Sequence, residues 1–434
     1  MFVELKINDV VLVECEELSY EGLGTIRQEK FTIFVYDLLP GETAKIKIIK
    51  KNSKILFAVV LNYLKTSPDR VSFKRVPSAA LINLAYEKQI EFKNNYLRNL
   101  LVRNTKINLE NYAEFYPATQ TIHYRNKVRY KLKIYKDFLQ AFEHFPKTNK
   151  AEAISNQVLN HPFLNFMLDE IITIINKFYQ AENKLDKLRF FEEISLRTNS
   201  FEDLQVVISL GSDYDLPKKL VEILKHELPE IVQFYVLKNF KTELVYQAKE
   251  FKLELLDKEF LLNPLSFFQV NKEVSSLMFT KIGELNSNSY SRIIDAFCGV
   301  GVIGQVIANE HQTILGVDLE KSSIEVANKN AILNNLQNYK YIAGDAFKVL
   351  HKEKINNNDL IIFDPPRSGL GEEIVNWVND NAFCSVIYMS CDPRTMVRDL
   401  QFFEKNNYQI KFIQGFDMFP NTFHIETLAL LTKK

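Results

Sequence analysis

Apolar positions along the chain follow several different rhythms. Up to about residue 65 they come in short runs at 10–13, 32–35, 44–49 and 56–61, punctuated by Gly22, Gly24 and Pro40-Gly41. Short β-branched runs between turn residues read as strands, and this many in so few residues predict either a small OB-like β-barrel or a generic β domain without a ligand. Ser67-Pro68-Asp69-Arg70 opens a linker, and 81–101 then has helical spacing. Over 121–136 the rhythm becomes strict alternation, with Val128, Tyr130, Leu132 and Ile134 on one face and Lys127, Arg129, Lys131 and Lys133 on the other. That is the period of a half-buried strand. Its outward face is basic, with Arg125 and Lys136 at its ends and no acid between Glu114 and Asp137. A solvated sheet surface would look like this, and so would an RNA-backbone contact; the uninterrupted run of cations favours the contact. Residues 154–178 read as a long helix interrupted near Pro162.

From about residue 263 strand-like runs at 293–297, 313–317, 339–343, 360–363 and 386–389 alternate with helical stretches at 303–309, 322–333 and 374–378. A βαβα order implies a mostly parallel sheet with helices on both faces, that is, an α/β fold of Rossmann-like type.

The length of 434 residues predicts two or three domains. The formal net charge is zero, so any nucleic-acid contact has to come from local patches rather than from the field of the whole molecule. The four cysteines, Cys15, Cys298, Cys384 and Cys391, have neither metal-ligand spacing nor the paired spacing of a disulfide framework. Glu4, Lys6 and Asp9 interrupt the N-terminal apolar residues, and no apolar run is long enough to span a bilayer. A cytoplasmic protein with no membrane contact is expected.

Candidate chemistry sits in the last third. The strand Ile293-Ile294-Asp295-Ala296-Phe297 runs into Gly299-Val300-Gly301-Val302-Ile303-Gly304, and the next strand ends at Asp318. Glycines just before a helix let the backbone approach a ligand, and an acid about 20 residues on can grip ribose hydroxyls. A dinucleotide oxidoreductase and a methyltransferase both use this arrangement. Downstream, Asp364-Pro365-Pro366-Arg367 follows the fourth strand, where two prolines fix a rigid edge beside a cleft. Amino-methylating enzymes place an aromatic residue after such prolines; Arg367 speaks against that chemistry. Cys391 follows a strand end and Asp392-Pro393 breaks that strand before a helix at 395–403, so the thiol is placed as a nucleophile whose thiolate the helix N-terminus would stabilise. Cys298 and Cys384 read as inert core cysteines. Glu426, just before the apolar strand 427–431, offers a carboxylate to the same cleft, completing a base and nucleophile pair.

Taken together, Phe267-Phe268-Gln269-Val270-Asn271, Asp295 to Gly304, Asp364-Pro365-Pro366-Arg367, Ser390-Cys391-Asp392-Pro393 with Arg398-Asp399-Leu400, and Asp417-Met418-Phe419-Pro420 with His424-Ile425-Glu426 resemble the catalytic domain of the RNA 5-methyluridine methyltransferase family. The N-terminal segment resembles the OB-like TRAM domain that many members carry, and Tyr124-Arg125-Asn126-Lys127 resembles a further family motif. The resemblance implies three domains: a TRAM domain over 1–65, a central α+β RNA-binding domain over 66–262, and an S-adenosylmethionine-dependent methyltransferase domain over 263–434. It implies Cys391 as the nucleophile that adds to uracil C6, with some lowering of the thiol's usual pKa of about 8.5. Glu426 becomes the base that removes the C5 proton. Gln269, Phe297, Gly299, Gly301, Asp318, Asp364 and Asp345 become cofactor residues, Asp345 facing the adenine. Phe267 would stack on a target base drawn out of its helix, and Arg125, Lys127 and Arg129 would contact RNA.

One departure stands out. Many members hold an iron–sulfur cluster on four cysteines after the TRAM domain; here 67–96 keeps the surrounding pattern, including Tyr86, Gln89 and Lys93, without a cysteine, and 145–160 has none either. No cluster and no other metal is expected. The TRAM resemblance favours 23S ribosomal RNA as substrate and sole partner, since members acting on the transfer-RNA T-loop often lack that domain. Transfer RNA, a noncatalytic ribosomal assembly factor and, more distantly, a nicotinamide-dependent oxidoreductase are the alternatives.

Overall fold

In the computed structural model residues 5–144, 151–286, 289–381 and 383–434 are described. Residues 1–4 of the expected N-terminal domain and 145–150 of the expected central one lie outside them. The chain divides into two compact units, one of residues 1–100 with 417–425 and one of residues 101–416 with 426–434.

The first unit carries a six-stranded sheet in the order Val10–Glu14, Thr43–Asn52, Ile55–Lys65, Thr32–Tyr36, Gly24–Arg27, Glu17–Leu18. Ile33, Val35, Ala44, Ile46, Ile48, Leu56 and Ala58 close its core. Gly41 has φ +79° and makes the expected turn. Gly24 does not: it lies within a strand, where a Cβ would stand 2.4 Å from the Leu38 carbonyl oxygen, so its role is close packing. The helix expected over 81–101 spans Tyr86–Asn104; Leu81 and Leu84 are instead buried in the turns before it.

The second unit contains two seven-stranded sheets. The first runs Lys241–Gln247, Ile231–Lys238, Leu204–Leu210, Phe191–Thr198, Lys127–Tyr135, Phe138–His144, Ala151–Ala153. Helices Pro162–Ala181 and Lys218–Glu227 pack on it through Leu164, Leu168, Ile171, Ile175, Leu220 and Leu224. Two expectations shift. The alternating strand begins only at Lys127, and Pro162 starts its helix rather than interrupting one, because proline at the first helical position loses no hydrogen bond.

The other sheet is ordered Tyr339–Ala343, Thr313–Asp318, Arg292–Ala296, Asp359–Phe363, Ser385–Ser390, Glu426–Lys433, Tyr408–Phe416. The first five strands are parallel, Glu426–Lys433 runs against them, and Tyr408–Phe416, antiparallel to Glu426–Lys433, runs with the five again. The strand Tyr408–Phe416 was not anticipated; its mixed burial lacks a clean period. The strand order reverses at Arg292–Ala296, and ligands in such sheets bind outside the carboxyl ends of the strands at that switch point.

Candidate active site

A cavity of about 490 Å³ opens at that edge. Strand register explains who meets there. Ala296 pairs Phe363, so Phe297 and Asp364 are the next residues out, and Asp318 ends the neighbouring strand. Ser390 pairs Thr427 in an antiparallel register. Continued by one residue, that register sets Cys391 against Glu426, which brings thiol and carboxyl into one cleft from opposite chain directions. Phe267, Phe268, Gln269, Phe297, Cys298, Gly299, Asp318, Asp364, Arg367, Cys391 and Glu426 all line it.

The glycine loop is built by strain and small size. Phe297 has φ +74°, a rare conformation for a bulky residue. It is held there because the N–H groups of Phe297 and Cys298 both donate to the Val317 carbonyl, at 2.9 and 3.0 Å. Gly301 has φ +82°, and a Cβ there would lie 2.7 Å from Gln305 Nε2 and 2.8 Å from the Tyr341 hydroxyl oxygen. The Gly299 N–H donates to Asp318 Oδ2 at 2.9 Å, leaving Oδ1 to accept from the Glu320 N–H at 2.9 Å. Beneath the loop, buried Asp295 accepts the Gly304 N–H. Gly301 shapes the loop without lining the cavity; Asp345 does not line it either, and its Oδ1 caps the helix Ala346–Leu350 by accepting the Lys348 N–H at 3.0 Å.

The loop after the two prolines is pinned by buried Asp399. Its carboxylate accepts the N–H groups of Leu370 and Gly371, the Tyr388 hydroxyl at 2.7 Å and the Arg398 guanidinium. Gly369, at φ +73°, has no room for a Cβ, which would meet Asp399 Oδ2 at 2.4 Å. This anchoring carries Asp364 to Arg367 along the cavity wall. Arg367 is the only cation among the lining residues, a placement that the motif alone did not reveal.

Burial dominates the electrostatics of this edge. It pushes Asp364 up to about 6, and Asp295 up to about 7 against the lowering effect of the Gly304 N–H. Glu426 is held well above the usual carboxylate range by burial and by nearby Asp364, with Arg367 opposing. The Cys391 thiol is pushed up to about 11, first by burial, then by Glu426, again with Arg367 opposing. This corrects the expected lowering. The helix N-terminus that was to stabilise the thiolate is occupied by Asp392, whose side chain accepts the Arg394 N–H and pairs with its guanidinium. Of the two cysteines expected to be inert core, Cys298 is buried and lines the cavity, whereas Cys384 is exposed.

The residues present suit a cofactor that joins an adenosine to a sulfonium and an ammonium. Phe279, Phe297, Val300 and Ile303 give apolar walls, while Asp318, Asp364 and Glu426 supply acid and only Arg367 opposes it. Such a cleft attracts a cationic ligand and repels a pyrophosphate, which disfavours a dinucleotide. Gln269 Oε1 is buried without a hydrogen-bond partner, an acceptor left for a ligand.

The segment carrying Phe267 and Gln269 rests on the central sheet. The Asn126 N–H donates to the Val270 carbonyl at 3.1 Å, Lys127 Nζ reaches the Ser266 carbonyl at 3.4 Å, and the buried Arg197 guanidinium donates to the same carbonyl at 2.5 Å. Phe267 itself is 70% exposed at the cavity rim. Lys127 is thus half-buried, its pKa drawn down to about 7 by burial and by Arg197. Arg129 is exposed but ion-paired with Glu193, which also holds Lys131 at 3.0 Å. Arg125 lies beside the Tyr124 ring, its guanidinium 5.8 Å from the centroid. The basic face is therefore less bare than the strand's own sequence suggests.

Comparison with known proteins agrees with this geometry. A family model described as tRNA (uracil-5-)-methyltransferase matches residues 85–434, and a TRAM domain model matches residues 4–61. An uncharacterized RNA methyltransferase of Enterococcus faecalis is 29% identical over 99% of this chain and 98% of its own. Another, of Lactobacillus johnsonii, is 30% identical over 98% and 99%. Among solved structures, the tRNA (uracil-54, C5)-methyltransferase of Pyrococcus abyssi in complex with S-adenosyl-L-homocysteine shares the fold, with a TM-score of 0.74 and 23% identity over 97% of this chain and 100% of that one. With five motifs converging on one cleft and a family model spanning most of its length, the chain belongs to the tRNA (uracil-5-)-methyltransferase family.

Proposed function

We propose that this protein methylates carbon 5 of a uridine in 23S ribosomal RNA in the cytoplasm, with Cys391 as nucleophile and Glu426 as base. The observation that carries the chemistry is the cross-strand placement of Cys391 and Glu426 in one cavity below exposed Phe267.

S-adenosylmethionine supplies an electrophilic methyl group, held by Gln269, Phe297, Gly299, Asp318 and Asp364. Uracil C5 is a weak nucleophile. Cys391 loses its proton to solvent and its sulfur bonds to C6, and the displaced π electrons make an enolate whose C5 then takes the methyl group. Glu426, ionised, removes the remaining C5 proton. The electrons of that C–H bond re-form the C5–C6 double bond and expel the Cys391 thiolate. The net change replaces the C5 hydrogen by methyl, leaves S-adenosylhomocysteine where the sulfonium was and releases one proton. Phe267 stacks on the extruded base, paying part of the unstacking energy. In the free cleft burial pushes the Cys391 thiol up to about 11 and raises the Glu426 carboxyl above its ordinary range, so catalysis is favoured as pH rises.

The TRAM match over 4–61 supports ribosomal RNA. A transfer-RNA uridine is the second reading, favoured by the full-length likeness to an enzyme named for tRNA uracil-54. The deciding measurement is nucleoside mass spectrometry of 23S and transfer RNA from cells with and without the gene. Loss of 5-methyluridine from 23S RNA alone supports the first reading, and loss from transfer RNA alone replaces it by the second. With Glu426→Gln, a covalent protein–RNA band is expected on a denaturing gel. If a variant that still binds RNA and S-adenosylhomocysteine gives no such band, Glu426 is not the base.

A further inference from the structure

The pattern Tyr86, Gln89, Lys93 takes no part in the chemistry above, yet all three side chains are committed to one segment. They lie three and four residues apart on the helix Tyr86–Asn104, so they share a face. Lys93 Nζ pairs with Asp417 Oδ1 at 2.5 Å, both side chains fully buried, and also donates to the Phe419 carbonyl at 3.2 Å. The Tyr86 hydroxyl donates to Asp417 Oδ2 at 2.8 Å. Buried Gln89 accepts the Asn421 N–H at 2.9 Å and donates to Asn421 Oδ1 at 2.9 Å and to the Leu84 carbonyl at 2.8 Å. Asn421 sits at φ +66°, and its carbonyl accepts the Leu81 N–H at 3.0 Å. The segment 417–425 thus has both carboxylate oxygens of Asp417 and the backbone of Asn421 fixed within the N-terminal unit.

The two ends of this segment matter. It leaves the strand Tyr408–Phe416 and re-enters at Glu426, and Phe416 and Glu426 are themselves register partners. The excursion is a hairpin loop of nine residues, 417–425, in which a short turn from the Phe419 carbonyl to the Thr422 N–H is held by contacts to a helix remote in sequence. Ile425, 1% exposed, is bonded directly to Glu426. A buried ion pair adds little net stability over an apolar pair, whereas it selects one arrangement over others. We propose that Tyr86, Gln89 and Lys93 are positioning residues for the base, holding the Asp417–Asn421 segment so that the Glu426 carboxylate is presented for C5-proton removal. This rests on the role of Glu426 given above.

The test separates adduct formation from adduct decay. Tyr86→Phe, Gln89→Leu and Lys93→Met would be prepared with Glu426→Gln as control and checked for folding by thermal melting with and without S-adenosylhomocysteine. A 5-fluorouridine-substituted transcript traps the Cys391 adduct irrespective of the base, because C5 then carries fluorine instead of a removable proton. The probes are unmodified 23S and transfer-RNA transcripts with and without that substitution. Expected are trapping rates near wild type in Tyr86→Phe and Gln89→Leu. On ordinary transcript the adduct should persist, with decay slowed roughly tenfold, a fraction of what general-base catalysis contributes. Trapping and decay falling together, or decay unchanged in a folded Gln89→Leu protein, overturns the proposal. If Glu426→Gln itself accumulates no adduct, the base assignment fails first and this one with it. Should Lys93→Met not fold, Tyr86→Phe and Gln89→Leu, which leave the buried ion pair intact, still decide.

Discussion

The central sheet and the catalytic cleft of the same unit handle charge in opposite ways. On the central sheet Arg129 and Lys131 stand on an open face and share the carboxylate of Glu193. In the cleft Asp364 and Glu426, and beneath its glycine loop Asp295, are buried with a single lining cation, and all three pKa values rise. The chain's 54 basic and 54 acidic residues cancel in sum. What differs is solvation. An exposed ion pair is screened and exchangeable, so its cations remain available to phosphate. A buried carboxyl is protonated or waits for a cationic ligand. Burial, more than the count of charges, sets the two regions apart.

The sharpest break would come at Cys391. Cys391→Ala should abolish methyl transfer and adduct formation while leaving S-adenosylhomocysteine binding, read by thermal shift, within about twofold. Retained 5-methyluridine formation by that variant would end the proposed mechanism.

Next in size is pH. A thiol pushed up to about 11 is mostly neutral at pH 7, and its thiolate fraction grows about tenfold per pH unit below that value. Adduct formation with 5-fluorouridine RNA should therefore rise roughly 100-fold from pH 7 to pH 9 at constant salt. A flat profile would mean that bound RNA or cofactor removes the burial effect that the free cleft imposes.

Gly301→Ala places a Cβ at φ +82° against Gln305 and Tyr341. A loss of stability of about 1–3 kcal/mol is expected, with weakened cofactor affinity measured by calorimetry. Unchanged affinity would show that the loop conformation is dispensable.

The smallest effects belong to the central sheet. Arg129→Ala with Lys131→Ala should lower RNA affinity several-fold and reduce the salt slope by about 2, close to one per lost phosphate contact. Glu193→Gln should act in the opposite direction by freeing both cations. If both leave filter-binding curves unchanged across salt concentrations, the basic face is solvated surface only.

Within the catalytic sheet the five parallel strands were legible because each apolar run is short and buried on both faces, as in Ile293-Ile294 and Ile361-Ile362. The strand Tyr408–Phe416 was not, since it lies at the sheet edge with mixed burial. Cys391 and Glu426 could be matched as motif residues, but their meeting follows from an antiparallel register that no local pattern encodes. Asp345 reads as a ligand-facing acid after a glycine; that its Oδ1 also caps the helix Ala346–Leu350 was not read from the pattern.

The sequence by itself determined the five parallel strands of the catalytic sheet, the glycine loop, the motif positions of Cys391 and Glu426 and the cationic alternation on one strand. These depend on neighbours within a few residues, where periodicity and backbone preference act. Tertiary structure alone decided that Glu193 answers Arg129 and Lys131, that Arg367 turns into the cavity, that burial raises the pKa values of Cys391 and Glu426, and that Tyr86, Gln89 and Lys93 grip residues more than 320 positions away. Desolvation and ion pairing depend on what surrounds a group in space, and those surroundings exist only once the chain has folded.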